Sequence, residues 1–222
     1  VDVSTKILTL SATIASSFLS NDYDAFDDTI HTYLKELGNI LEVDKVYVYK
    51  NYEYGSIPRS KQQYIWISEN KHTSVLDDIS FDGSFRVWYK EFVSGRIYSV
   101  NDSTQLRNTD EKKFLIENSI RSICLVPIFS GGLLWGFVGF TVCDIVREWT
   151  IIEKSALSIA ATIIGNAIYN HNKQEILEHP ITILNIVIDK LQKMNEEAEV
   201  NIRKSIENLE LLRGKANGRS NI

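Results

Sequence analysis

Cysteine is scarce in this 222-residue chain: Cys124 and Cys143 are the only two, and they form no CxxC pair. That spacing excludes a zinc or redox signature built on paired thiols. Free cysteine is among the most buried residue types, so two buried thiols are expected, and a reducing, cytoplasmic compartment fits them. Basic charge is also short: 24 Lys and Arg stand against 29 Asp and Glu, for a net charge of -5. Such a balance excludes a phosphate-coating binder of nucleic acid, which needs a concentrated basic face. A small anion held by one or two local arginines is still admissible. No signal peptide is visible, and the longest apolar runs fall short of the roughly 20 residues that span a bilayer. Internal repeats and low-complexity segments are missing too. The chain begins at Val1 rather than Met, which reads as a piece excised from a longer protein, with room among its missing neighbours for a membrane anchor.

What is present is 44% hydrophobic residues in two different periods. Ile7, Leu10, Ile14 and Phe18 recur at helical spacing, as do Phe26, Ile30, Leu34, Leu37 and Leu41. Asp22, Asp24, Asp27 and Asp28 crowd the start of the second helix, where its dipole favours negative charge. The period then falls to two. Val46 to Tyr49 reads as a strand, and Gln62 to Ser68 as another, with Tyr64 and Trp66 on one face and Ile65 and Ile67 on the other. The stretch from Tyr52 to Arg59 is predicted to be a loop, and so are residues 69–80. Phe85, Trp88, Tyr89 and Phe92 predict a short helix with an aromatic face, ending near Gly95. A brief strand (97–100), a short helix (109–118) and two long strands (121–129 and 133–142) follow, the last pair joined by a hairpin at Ser130-Gly131-Gly132.

Thr150 and Glu153 form a capping box that opens another helix. Its wide apolar stripe runs through Ala156, Leu157, Ala160, Ile163, Ile164, Ala167 and Ile168. Pro180 then interrupts. Leu184, Val187, Ile188, Leu191 and Met194 make a further seam, followed by Ile202, Ile206, Leu209 and Leu212. These segments predict a helical hairpin, a coiled-coil extension or one bent helix. The order of elements indicates an α+β fold on a central antiparallel sheet with flanking helices. The expected division is a domain over 1–175 and a helical dimerisation and transmission segment over 176–222.

Two stretches carry a resemblance. Residues 37–49, Leu-Gly-Asn-Ile-Leu-Glu-Val-Asp-Lys-Val-Tyr-Val-Tyr, form one. The other is Ile-Arg-Ser-Ile-Cys-Leu-Val-Pro-Ile-Phe at 120–129 with Leu-Trp-Gly-Phe-Val-Gly-Phe at 134–140, then Cys143, Arg147, Trp149-Thr150, Glu153 and Ile164-Gly165-Asn166-Ala167-Ile168. Together they resemble the GAF domains of bacterial and archaeal sensor proteins, which often precede PAS, diguanylate cyclase or histidine kinase modules. The likeness covers roughly residues 5–172. It departs from the family where an acidic pair usually precedes the cysteine, a place held here by Thr141-Val142.

The apolar stripe on 150–168, wider than one sheet face needs, and the 184–194 seam, with no core of its own to bury it, predict a homodimer through the terminal helices. The resemblance implies a sensory input domain with no catalysis of its own and a downstream effector domain or kinase. It also implies a small-ligand site between the sheet and the elements covering one face. Carried onto this chain, its candidate walls are Tyr64, Trp66, Phe85, Trp88, Tyr89, Thr141 and Cys143. Rings there offer contact area and hydroxyls orientation; the same aromatics equally serve as plain core, which would make the chain a scaffold with a filled pocket. The sequence identifies no cofactor and no metal. The Asn-Lys-x-Phe motif of cyclic-nucleotide GAF domains is absent. Cys124, inside a predicted strand, is a poor anchor for a bilin, and His72, on a polar loop, a poor axial ligand for haem. Methionine sulfoxide reductase chemistry would need a resolving cysteine pair. His171 and His179 raise phosphotransfer, but Glu175 stands where the phosphorylated histidine would precede Pro180, and no Gly-rich ATP lid is present. Arg121 and Arg147 read as structural ion-pair partners, with an anion site at a helix start as the sharper alternative.

Overall fold

The computed structural model describes residues 2–20, 25–69, 77–107 and 109–217. Asp22, Asp24 and His72 lie outside them, and of Glu175 and His179 only the backbone is described. The chain divides into two compact units, Val1–Asn172 and Lys173–Ile222. The first contains α1 (Val3–Ser20), α2 (Phe26–Leu41), β1 (Lys45–Tyr54), β2 (Ile57–Ile67), β3 (Asp78–Ser80), α3 (Arg86–Val93), β4 (Tyr98–Val100), α4 (Asp110–Glu117), β5 (Ser122–Ser130) and β6 (Leu133–Val142). It also holds the start of α5, which runs over Ile151–Asn217. The strands form one six-stranded sheet in the order β3-β2-β1-β6-β5-β4, and every pairing in it is antiparallel.

Alternation along the strands gives the sheet two unlike faces. Val46, Val48, Cys124, Val126, Ile128, Val138, Phe140 and Val142 point to one. Ile30, Tyr33, Leu34, Leu37 and Leu41 of α2 pack there, with Ile7 and Ile14 of α1 and Leu157, Ala160, Ala161 and Ile164 of α5. Small residues let α5 approach: a Cβ at Gly165 would lie 2.1 Å from the Phe129 carbonyl oxygen. The other face carries Tyr49, Ile123, Leu125 and Phe137, covered by Ile79, Phe81, Trp88, Phe92 and Leu115. This second layer is a lid of short elements.

The capping box at α5 forms as expected: Glu153 N–H donates to Thr150 Oγ1 at 3.2 Å, and Thr150 N–H to Glu153 Oε2 at 3.0 Å. Four expectations are corrected. Tyr52 to Arg59 is not a loop but the far end of the β1–β2 ribbon, with Tyr52 paired to Arg59 and Tyr54 to Ile57. Most of that end is exposed on both sides, so nothing imposes an apolar period on it. Residues 78–80 of the predicted 69–80 loop form β3, an edge strand paired with Arg59 to Lys61. The helix also continues through Pro180, so the hairpin alternative is not realised. Finally, Ile151–Gln174 is long and apolar enough to cross a membrane by length and composition; its Ala156, Leu157, Ala160, Ala161 and Ile164 are buried in the helix-side core.

Gly38 shows how tightly that core is built. A Cβ there would fall 2.0 Å from Cζ3 of Trp66. At an open helical position Gly→Ala stabilises by about 0.8–1.0 kcal/mol. Here overpacking, worth about 1–3 kcal/mol, outweighs it. Gly38→Ala is expected to lower Tm by several degrees in a thermal melt, and a raised Tm would contradict this packing.

Candidate functional site

The lid is assembled from residues that turn toward one another. Phe85 meets Trp88 edge-on at 5.0 Å and Phe114 at 5.1 Å between centroids. Trp88 is buried, yet its indole N–H donates to Glu111 Oε1 at 2.7 Å, and the Tyr98 hydroxyl donates to the same oxygen at 2.6 Å. A buried carboxylate thus joins α3, β4 and α4 by two hydrogen bonds, which satisfies all three polar groups. On the sheet side, the Phe92 ring stacks on Phe137 at 5.0 Å, and Phe137 on Tyr49 at 5.1 Å. Phe81 leans on Tyr89 at 5.2 Å.

Beyond that aromatic stack the lid face turns polar. The Tyr47 ring lies against Gly139, where an added Cβ would come within 2.0 Å of it. Thr141 Oγ1 donates to the Tyr47 phenol at 3.1 Å. Burial, first of all, raises the Tyr47 pKa well above the ordinary phenol value, so the group stays neutral. Lys45 is the next residue along this face.

The candidate walls therefore separate. Phe85, Trp88 and Tyr89 belong to the lid, and Thr141 faces it with Tyr47. Tyr64 and Trp66 do not: they pack in the helix-side core on the opposite face of the sheet. Trp66 lies on Gly38 of α2, and the Tyr64 hydroxyl donates to Asp27 Oδ1 at 2.6 Å. The period of two was read correctly in β2, but nothing local tells which side is the lid. Cys143 is half-buried just past the end of β6, and its N–H donates to Asp44 Oδ2 at 2.6 Å. Tyr47, Tyr49, Phe137, Glu111 and Lys45 escaped the sequence reading. Pairing Tyr47 with Gly139 was the available signal, since a glycine inside a strand marks close approach.

Cys124 sits in the helix-side core, and burial pushes its thiol up to about 12. No group of three or more His, Cys, Asp or Glu side chains suited to a metal occurs among the described residues.

A second polar cluster joins the lid-side strands to α5. Ser122 Oγ donates to the Asn101 carbonyl, and Arg147 N–H donates to Ser122 Oγ at 2.8 Å. The Arg147 guanidinium donates to the Leu41 carbonyl at the end of α2 and to Glu153 Oε1 in the first turn of α5, each at 2.7 Å. It also lies 4.7 Å over the Trp149 ring. Arg121 stands 3.0 Å from Asp102 Oδ1, although its Nε is not aligned for a hydrogen bond. Both arginines are thus ion-paired within the fold.

These features define a two-faced antiparallel sheet with helices on one side and a short-element lid on the other. The model of the GAF domain family matches residues 25–168, and the chain belongs to that family. It is 30% identical over 200 residues to the methanogenesis regulatory histidine kinase FilI of Methanothrix harundinacea (strain 6Ac). That match takes in 87% of this chain and 22% of the kinase, so the chain spans about a fifth of its relative. Among solved structures, the phycoerythrobilin-bound GAF domain of a cyanobacterial phytochrome aligns with a TM-score of 0.63 at 18% identity, over 78% of this chain and 99% of that one. The GAF domain of Thermosynechococcus elongatus PixJ aligns with a TM-score of 0.56 at 22% identity, over 76% and 95% of the two chains. At such identities the likeness is one of fold.

Two predictions follow from the environments of individual groups. A rise from 9.0 to about 12 cuts the Cys124 thiolate population roughly a thousand-fold. Iodoacetamide at pH 8 should therefore label Cys143 first, and Cys124 only on unfolding, as read by intact mass and peptide mapping; early labelling of Cys124 contradicts its placement. Burial works against the Glu153 carboxylate, but hydrogen bonds from Thr150 and Arg147 outweigh it and lower its pKa. Its contribution is complete above the unfolded value of about 4.3 and is lost as pH falls through the depressed folded value. The Tm difference between the parent chain and Glu153→Gln should accordingly shrink as pH drops below about 4. A difference that is flat or grows on acidification would contradict the ion pair.

Proposed function

We propose that the chain is a non-catalytic sensory input domain that takes up a small molecule between its sheet and the lid, and passes the change through α5 to an effector such as a histidine kinase. One observation carries this reading: lid and output helix occupy opposite faces of the same sheet, and Asn101, Ser122 and Arg147 bond across the junction between them. A ligand that shifts the lid biases that junction only by as much as it prefers one lid position over another. The relative's description as a regulatory histidine kinase supports a kinase as the effector, within a two-component system. A cytoplasmic setting belongs to the same proposal.

The working unit is a homodimer. Leu184, Val187, Ile188, Leu191 and Met194 on α5 are 43–61% exposed. In the first unit, Phe18, Leu19, Ile163, Ala167 and Tyr169 line an apolar groove of about 280 Å³ between α1 and α5. Seams at these spacings find cover when two copies associate in parallel. A second reading, a scaffold without ligand, is favoured by one fact: the Tyr49–Phe137–Phe92 stack already fills the middle of the lid face.

Native mass spectrometry of the purified chain tests both halves, since it reports stoichiometry and any retained small molecule together. A dimer is expected, and Leu191→Asp should weaken it at least about tenfold, equivalent to roughly 1.4 kcal/mol. A monomer at micromolar concentration would overturn the dimer.

A further inference from the structure

Lys45 opens β1 and pairs with Thr141 on β6 and Ile67 on β2, which places it on the lid face two positions before Tyr47. The residue is 5% exposed. Lysine is almost never buried this far unless it is paired. Yet among the described residues its ammonium makes no hydrogen bond and no ion pair. The neighbouring carboxylate, Asp44, is turned to the Cys143 N–H. The ammonium is not sealed inside packed protein either, since the buried unpartnered nitrogens among the described residues are those of Arg121, Arg147 and Trp149.

Beside it, the Tyr47 phenol accepts from Thr141 at 3.1 Å, which leaves its own O–H free to donate. Two donors thus stand on adjacent positions of a face otherwise built of rings and aliphatic chains, with Ile65 and Ile67 alongside on β2. The ammonium is open to a ligand, and a carboxylate bound to a charged and a neutral donor together makes charge-assisted hydrogen bonds, which are the strong ones.

We infer that the Lys45–Tyr47–Thr141 corner of the lid face binds the carboxylate of a small organic acid, whose apolar body lies along the sheet toward the lid. This rests on the reading of the lid face as a ligand site and assigns its ligand class. An amide of the same shape forgoes the charge-assisted contact with the ammonium and binds more weakly on that ground.

The test titrates the full chain with matched acid and amide pairs: benzoate and benzamide, phenylacetate and phenylacetamide, indole-3-acetate and indole-3-acetamide, octanoate and octanamide. Binding is read from amide shifts in proton–nitrogen spectra. At least one acid is expected to bind about tenfold or more tightly than its amide, with shifts centred on Lys45, Tyr47 and Thr141. Lys45→Met should abolish the difference, Lys45→Arg should keep it, and Tyr47→Phe should reduce it. The parent comparison stands even if Lys45→Met does not fold. Equal binding of acids and amides, or a difference that survives Lys45→Met, overturns the carboxylate assignment and leaves the ligand site standing. If no compound moves lid-face resonances at millimolar concentration, the ligand site and the assignment fall together.

Discussion

The pairing of β1 with β6 is the constraint from which the arrangement of both faces follows. Val46 stands opposite Phe140 and Tyr47 opposite Gly139. Each strand therefore sends its aliphatic set under the helices and its tyrosine, glycine and threonine set under the lid. A slip of one residue would exchange the two sets, burying phenols beneath α2 and turning valines to the lid side. Glycines hold the register. A Cβ at Gly136 would lie 1.9 Å from the Tyr49 carbonyl oxygen, and one at Gly139 would displace the Tyr47 ring. The ring occupies the volume that a side chain at 139 would fill, and its phenol consequently reaches Thr141.

One buried carboxylate ties the lid both to itself and to the edge of the sheet. Glu111 of α4 accepts from Trp88 of α3 and from Tyr98 of the edge strand β4, so the two lid helices and the sheet edge share one buried acceptor. Contact with the sheet is made mainly by stacked rings, which slide more readily than hydrogen bonds stretch. The helix side differs, because α2 and α5 are interlocked with the sheet by glycine contacts at 38 and 165.

Much of this was legible in the residues. Strands with one aliphatic face, the Ser130-Gly131-Gly132 hairpin and the Thr150–Glu153 box all act over a few residues, and their signals are local. The outer β1–β2 ribbon was illegible because both its sides are largely solvated, so no burial imposes a period on it. Pro180 misled in the other direction: a helix broken by proline is the local expectation, yet the helix runs on. Among the candidate walls, helical spacing put Phe85, Trp88 and Tyr89 on one short segment, which lies in the lid. Tyr64 and Trp66 have the same chemistry, and only the packing of Gly38 under Trp66 reveals that they face α2. Face assignment is a property of the whole sheet, whereas composition describes each strand separately. Lys45 went unnoticed for a related reason, since a lysine at the start of a strand ordinarily extends into water.

Arg147 has a mechanical implication. One planar cation is bonded to the last turn of α2 and the first turn of α5 and lies over the Trp149 ring. The first turn of α5 is for that reason a clamped end and not a pivot. Bending α5 there would break charge-assisted bonds, whereas turning it together with α2 would leave them intact. A movement of α5 that kept those bonds would therefore be a rotation or axial displacement of two helices acting as a pair.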